Sequence, residues 1–265
     1  MSDGALSYVT HGDPARDPIL FLHGFMGSQA DWSDVVGILR STHRCLCVDL
    51  PGHGRSVGLS GAYSMEDATG RLVDVLDREG IDRAHLVGYS MGGRTALHVA
   101  ANHADRCRCL VLESASPGLA TERERAERRQ VDEERAVRIE TTDFEAFLVD
   151  WYRQPLFETY RQYEGLLGQM IRSRRSNHPN ELARSLREMG TGRQPSLWDR
   201  LDHVDRPTCI LVGGLDDKYV KIGERMADAM PRSRYEVVPD AGHNVHAEVP
   251  ETFTKILSDF LRHQS

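Results

Sequence analysis

The sequence predicts an α/β fold: a mostly parallel central sheet with helices on both faces, interrupted by one inserted helical segment. Three observations carry the prediction. Apolar runs of strand length alternate with amphipathic stretches of helix length along the first part of the chain. No strand-like run occurs between about 119 and 194. The alternation then resumes to the end. A strand followed by a helix returns to the sheet in the parallel sense, so both faces become covered and the strands read as continuous apolar runs.

In chain order, PILFLH at 18–23 is the first clear buried strand, and 30–40 reads as a helix. The segment before it is only weakly marked as strand. RCLCVD at 44–49 is the next strand, and 64–79 is a helix opened by Ser64 as a cap with Asp67 three residues later. AHLVG at 84–88 and RCLVLE at 108–113 are strands flanking a helix at 91–102. Within the insertion, 122–140 is dense in charge of both signs and 144–163 is aromatic, and both read as helical. PTCILV at 207–212, a helix at about 221–230, a strand at 235–239 and a last helix at 250–263 complete the chain. Residues 1–118 and 195–265 are thus the expected core, and 119–194 a cap inserted in it.

A chain of 265 residues can bury a substantial core. Its net charge of −7 argues against the basic face that nucleic-acid binding needs. No run approaches the ~20 apolar residues of a bilayer-crossing helix. The first residues carry neither the basic start nor the apolar stretch of a signal peptide, so a cytoplasmic location is expected. The five cysteines include two Cys-x-Cys pairs inside strands, Cys45/Cys47 and Cys107/Cys109. They are expected to be reduced and buried, with both members of a pair on one sheet face. Metal-type Cys-x-x-Cys spacing is absent, and no metal or organic cofactor is expected.

The strongest local signal is Gly88-Tyr89-Ser90-Met91-Gly92, a G-x-S-x-G that directly follows a strand and precedes a helix. In that context the motif is a sharp turn that lifts the serine oxygen above the sheet edge, at the positive end of a helix. A serine hydroxyl needs a base. His243, after the last strand, fits the chain order serine, acid, histidine. The acid belongs after strand 207–212, where Asp216 and Asp217 both qualify. An oxyanion hole needs two convergent amides. Met91 supplies one, and the loop His23-Gly24-Phe25-Met26-Gly27 supplies the other at Phe25. The turn-rich run 49–56 (DLPGHGRS) reads as structural.

HGFMG, DLPGHGRS, GYSMGGR and DAGH resemble the α/β-hydrolase superfamily. GYSMGGR, ESASPGL, DWYRQPLF, MGTGRQPSLW, GGLDDKY and AGHNVHAEVPE more specifically resemble the MenH family, 2-succinyl-6-hydroxy-2,4-cyclohexadiene-1-carboxylate synthases of menaquinone biosynthesis. The resemblance runs from about Phe21 to the end, and its G-x-x-D pattern selects Asp216 as the acid. It implies an α/β-hydrolase fold and an elimination rather than a hydrolysis. The triad serine acts as base on a ring proton of 2-succinyl-5-enolpyruvyl-6-hydroxy-3-cyclohexene-1-carboxylate, and pyruvate leaves. That partner is a small tricarboxylate, for which fixed cations are expected. Arg94, one helical turn after Ser90, is one candidate. Family positions place others at Arg128 and Arg172, with Tyr89 and Trp151 lining the pocket. The competing readings are a surface or capping role for the arginines and core packing for Trp151. A hydrolase of esters or carbon–carbon bonds is the alternative activity. A non-catalytic binding protein is disfavoured because serine, acid and histidine are all retained. The sequence leaves the oligomeric state open.

Overall fold

The computed structural model describes residues 4–264. Its strands are β1 (Tyr8–His11), β2 (Pro18–Leu22), β3 (Arg44–Val48), β4 (Ala84–Tyr89), β5 (Cys107–Glu113), β6 (Thr208–Gly213) and β7 (Ser233–Val238). They form one sheet in the order β1-β3-β2-β4-β5-β6-β7. Only the edge pair β1–β3 is antiparallel. β2, β4 and β6 are buried at every position, as strands covered on both faces must be.

The helices are α1 (Ser33–Leu39), α2 (Met65–Arg78), α3 (Met91–Asn102), α4 (Glu122–Thr141), α5 (Phe144–Trp151), α6 (Leu166–Arg174), α7 (Pro179–Met189), α8 (Asp217–Ala229), α9 (Val245–Glu248) and α10 (Pro250–Arg262). α1 and α10 cover one face through Val35, Leu39, Phe253 and Leu257 packed on Ile19 and Phe21. α2, α3 and α8 cover the other through Leu72, Leu97 and Met226 packed on Leu20, Leu86 and Ile210. The chain between β5 and β6 forms α4 to α7, with a 3-10 segment at Pro155–Gln162. α4 opens with a capping box between Thr121 and Glu124, so the charge-dense stretch starts where its own side chains satisfy free amides. This insertion has its own apolar clusters, one around Ile139, Phe147 and Leu182 and one around Tyr152, Phe157 and Tyr160.

Three details differ from expectation. A 3-10 turn at Gln29–Trp32 precedes α1, in place of one helix over 30–40. α8 starts at Asp217 because the Asp216 carboxylate accepts the Tyr219 amide at 3.3 Å and caps the helix four residues earlier than predicted. The five cysteines are free and buried. Cys107 and Cys109, however, pack on opposite faces, Cys107 in the α3 layer and Cys109 in the α10 layer. A register shift opposite Ala84–Leu86 inserts an extra residue into β5 and flips the alternation.

Four buried imidazoles make the fold acid-sensitive. Burial, with help from Arg108, holds His85 down to about 4, and burial together with Arg94 holds His98 at about 4. Burial also lowers His23 and His53. Each folded value lies below the ordinary ~6.5 of the unfolded chain, so between these values the unfolded state binds more protons. Their contribution is complete above ~6.5 and is lost as pH falls toward 4. Melting temperature is therefore expected to decline steadily from about pH 6.5 downward, which a thermal-shift series across pH checks.

Candidate active site

Ser90 sits between β4 and α3 with φ 50° and ψ −106°. A positive φ in a residue bearing a Cβ is strained and persists only where the surroundings impose it. Two glycines do so here. A Cβ on Gly88 would stand 2.4 Å from the Gly92 carbonyl oxygen, and one on Gly92 would stand 2.1 Å from that of Leu22. Only glycine lets helix, turn and strand approach this closely. The Ser90 amide donates to the Glu113 carbonyl at 2.9 Å, which fixes the turn to β5.

His243 follows β7, and its Nε2 lies 3.3 Å from Ser90 Oγ. Its Nδ1 lies 2.7 Å from Asp216 Oδ2. An ionised carboxylate only accepts, so this bond places the ring proton on Nδ1 and turns the Nε2 lone pair toward the serine hydroxyl. Both side chains are buried. Tyr219 flanks the imidazole with ring centroids 4.6 Å apart, and Tyr89 does so at 5.3 Å.

The second element is a pair of free amides. Met91 occupies the first position of α3, where the helix offers its amide no carbonyl. The Phe25 amide has no partner among the described residues. His23 explains its direction. The Leu50 amide donates to His23 Nε2 at 3.0 Å, so the ring proton sits on Nδ1 and donates to the Gly24 carbonyl at 2.7 Å. The Gly27 amide donates to the same carbonyl at 2.9 Å. In a trans peptide the N–H points opposite to the C=O. Holding the Gly24 oxygen inward therefore turns the Phe25 N–H outward, and both Phe25 and Met91 line the cavity above Ser90.

That cavity, about 340 Å³, lies between the sheet edge and the insertion. Arg94, Arg128, Arg135, Arg174 and Lys218 line it, and among the described residues no aspartate or glutamate does. Arg94 is only 8% exposed and pairs with no carboxylate among the described residues. It donates to the Met189 carbonyl at 3.3 Å and to the Gln194 side chain. Burial, reinforced by Arg128, lowers it to about 10, so it stays charged at neutral pH. Arg128 and Arg135 share Asp132, at 2.7 and 3.9 Å. Lys218 sits at the exposed mouth beside Tyr219.

Of the residues singled out from sequence, Ser90, His243, Phe25, Met91, Tyr89, Arg94, Arg128 and Trp151 all line this cavity, with Asp216 behind His243. Trp151 packs against Phe25 and under the Arg135 guanidinium. Arg172 is corrected: it is exposed and outside the lining. The arginine that reaches the cavity from α6 is Arg174, four residues after the buried Met170 and on the same helix face. Asp31 holds it with two bonds of 2.5 and 2.7 Å, and Tyr152 accepts a third at 3.2 Å. Burial raises the Asp31 carboxyl, but Arg174 outweighs it and leaves the carboxyl below its ordinary value. The ion pair latches the insertion to the core. Replacing Asp31 with alanine leaves a buried unpaired cation, and is expected to cost about 3–5 kcal/mol of stability in denaturant unfolding.

Sequence reasoning also missed Arg135, Lys218 and Tyr219. Arg135 was within reach, since it lies seven residues after Arg128 on one helix and so shares its face. The motifs ESASPGL (113–119) and MGTGRQPSLW (189–198) prove to be one unit. The Leu197 amide and the Trp198 indole donate to the carbonyls of Pro117 and Gly118 at 2.8 and 2.9 Å, while Met189 and Gln194 hold Arg94.

A serine on a strained strand-to-helix bend, a histidine and an aspartate after later strands, and a parallel sheet between helical layers define the α/β-hydrolase class. The family model described as alpha/beta hydrolase fold matches residues 17–250. A 2-succinyl-6-hydroxy-2,4-cyclohexadiene-1-carboxylate synthase of Pectobacterium atrosepticum is 34% identical over 258 residues, covering 96% of this chain and 98% of its own. The structure of MenH from S. aureus superposes with a TM-score of 0.93 at 32% identity, covering 100% of this chain and 99% of that one. A thermophilic esterase from Thermogutta terrifontis reaches 0.83 at 26%, covering 98% and 94%, so the fold alone does not select the reaction. The chain belongs to the 2-succinyl-6-hydroxy-2,4-cyclohexadiene-1-carboxylate synthase, or MenH, family of α/β-hydrolase-fold enzymes.

Proposed function

We propose that this chain eliminates pyruvate from 2-succinyl-5-enolpyruvyl-6-hydroxy-3-cyclohexene-1-carboxylate to give 2-succinyl-6-hydroxy-2,4-cyclohexadiene-1-carboxylate, a lyase step of menaquinone biosynthesis. The carrying observation is a base-activated hydroxyl facing a cavity whose lining charges are all positive. The two names fix the bond changes. The ring double bond moves from position 3 to positions 2 and 4, so a proton leaves C2 and the enolpyruvyl oxygen leaves C5. C2 is next to the succinyl carbonyl, so its deprotonation puts negative charge on that oxygen.

Each part of the site has a task in this scheme. His243 Nε2 takes the Ser90 proton, and the serine oxygen takes the proton on C2. Asp216 orients the ring and stabilises the imidazolium. The Phe25 and Met91 amides receive the developing oxyanion. Electrons then flow through the ring, the C5–O bond breaks, and the departing enolpyruvate takes up a proton and becomes pyruvate. Arg94, Arg128, Arg135 and Lys218 meet the three carboxylates, with Tyr89 and Trp151 as walls. The insertion, residues 119–194, serves as the cap. Among the described residues no helix is long and apolar enough to cross a membrane.

The test is to supply the enolpyruvyl substrate and follow pyruvate, beside a panel of simple aryl and alkyl esters. Pyruvate release with weak ester turnover is expected. Efficient ester cleavage without pyruvate would replace this reading with the hydrolase.

A further inference from the structure

We infer that the cap positions His243 through the residues on either side of it, Asn244 by a direct hydrogen bond and Gly242 by way of Glu248 in α9, with Thr159, Glu248 and Tyr160 as positioning residues. The inference rests on His243 being the base that activates Ser90. On one side, the Gly242 amide donates to Glu248 Oε2 at 2.7 Å, and the Thr159 hydroxyl donates to Glu248 Oε1 at 2.9 Å. On the other, Asn244 Nδ2 donates to the Tyr160 hydroxyl at 2.8 Å. Thr159 and Tyr160 both belong to the 3-10 segment of the cap, Pro155–Gln162. All four partners are buried. The approach is close: a Cβ on Gly242 would stand 2.2 Å from the Thr159 hydroxyl oxygen, so a side chain there would push cap and loop apart.

The core grips the same loop elsewhere. Glu113, whose carbonyl fixes the Ser90 amide, accepts the His246 amide at 2.9 Å and its ring Nδ1 at 2.7 Å. The far end of the loop is thus tied to the turn that carries Ser90, while the residues that bracket His243 are tied to the cap. His243 Nε2 stands 3.3 Å from Ser90 Oγ, at the long end of hydrogen-bond range. A few tenths of an ångström in the loop then decide whether the proton transfers. Leu156, Phe157 and Tyr160 of the same cap segment line the cavity. One short segment therefore senses the occupant of the cavity and sets the approach of the base.

The experiment compares Thr159→Val, Glu248→Leu and Glu248→Gln in the full chain. It reads kcat and KM for pyruvate release, and the rate at which a fluorophosphonate labels Ser90, all well below each melting temperature. Thr159→Val removes the hydroxyl without changing shape and lies outside the cavity lining. It and Glu248→Leu are expected to lower kcat about tenfold or more and to slow labelling in proportion, with KM within about twofold. A glutamine side chain still offers an acceptor to the Gly242 amide and a partner to the Thr159 hydroxyl, so Glu248→Gln is expected to stay within about threefold of the parent. A folded Thr159→Val protein with parental kcat and labelling rate overturns the inference, as does Glu248→Gln falling as far as Glu248→Leu. Should Glu248→Leu fail to fold, Thr159→Val decides alone. Because labelling needs only an activated serine, a chain that is labelled but releases no pyruvate refutes the lyase reading while the positioning inference is still read from labelling rates.

Discussion

Replacing Ser90 with alanine is expected to lower kcat for pyruvate release by about 10³-fold or more, with KM nearly unchanged. The hydroxyl lies within reach of His243 Nε2 and lines the same cavity as Phe25 and Met91, whose amides are free. Removing it leaves the imidazole one atom too far from the substrate and removes the path by which the C2 proton departs. The cations and the amides remain, so binding persists and so does some stabilisation of the oxyanion. A drop confined to kcat is the signature of a group that acts in the transition state. The turn itself should be retained, since alanine at φ 50° is no worse placed than serine, and the melting temperature should not fall. Steady-state kinetics with a pyruvate-coupled readout and a melting curve check both halves.

Replacing Arg94 with methionine is expected to reduce kcat/KM by about 100-fold, mostly through KM, which corresponds to roughly 3 kcal/mol. Among the described residues Arg94 is a buried cation without a counterion, whereas Arg174 is neutralised by Asp31 and Arg128 shares Asp132 with Arg135. An unpaired buried charge is a cost to the free protein that a bound carboxylate would recover. The same substitution is therefore expected to leave stability equal or higher while substrate affinity collapses. Arg174→Met should do the reverse in emphasis, because it leaves the buried Asp31 unpaired and loosens the latch between insertion and core. Kinetics and melting of these two proteins, side by side, separate the arginine that binds from the arginine that holds.

Most of the fold was legible because parallel strands buried on both faces advertise themselves as apolar runs, and each run from Pro18 onward was found within a residue or two. Helix starts were less legible where the cap was also a site residue: Asp216 looked like an acid for His243 and is at once the N-cap of α8. Ser90, Asp216 and His243 could be picked out because each lies in a short stretch whose turn geometry demands its neighbours, Gly88 and Gly92 above all. The cap was harder. Arg172, Arg174 and Arg175 crowd one helix end, and only packing of Met170 against the aromatic cluster sets which of them turns inward. Helical spacing would have found Arg135, but Lys218 reaches the cavity through tertiary placement of α8, which no local pattern encodes. The bulge that parts Cys107 from Cys109 is equally silent in the sequence, since it costs one residue of register and changes no residue type.

The most direct test of the central claim is the mass of the intact protein, quenched during turnover of the enolpyruvyl substrate. If Ser90 serves as a base, pyruvate accumulates while the protein mass stays that of the unmodified chain. An adduct on Ser90, accumulating and decaying with turnover, would mean that the serine attacks as a nucleophile, and would contradict the account.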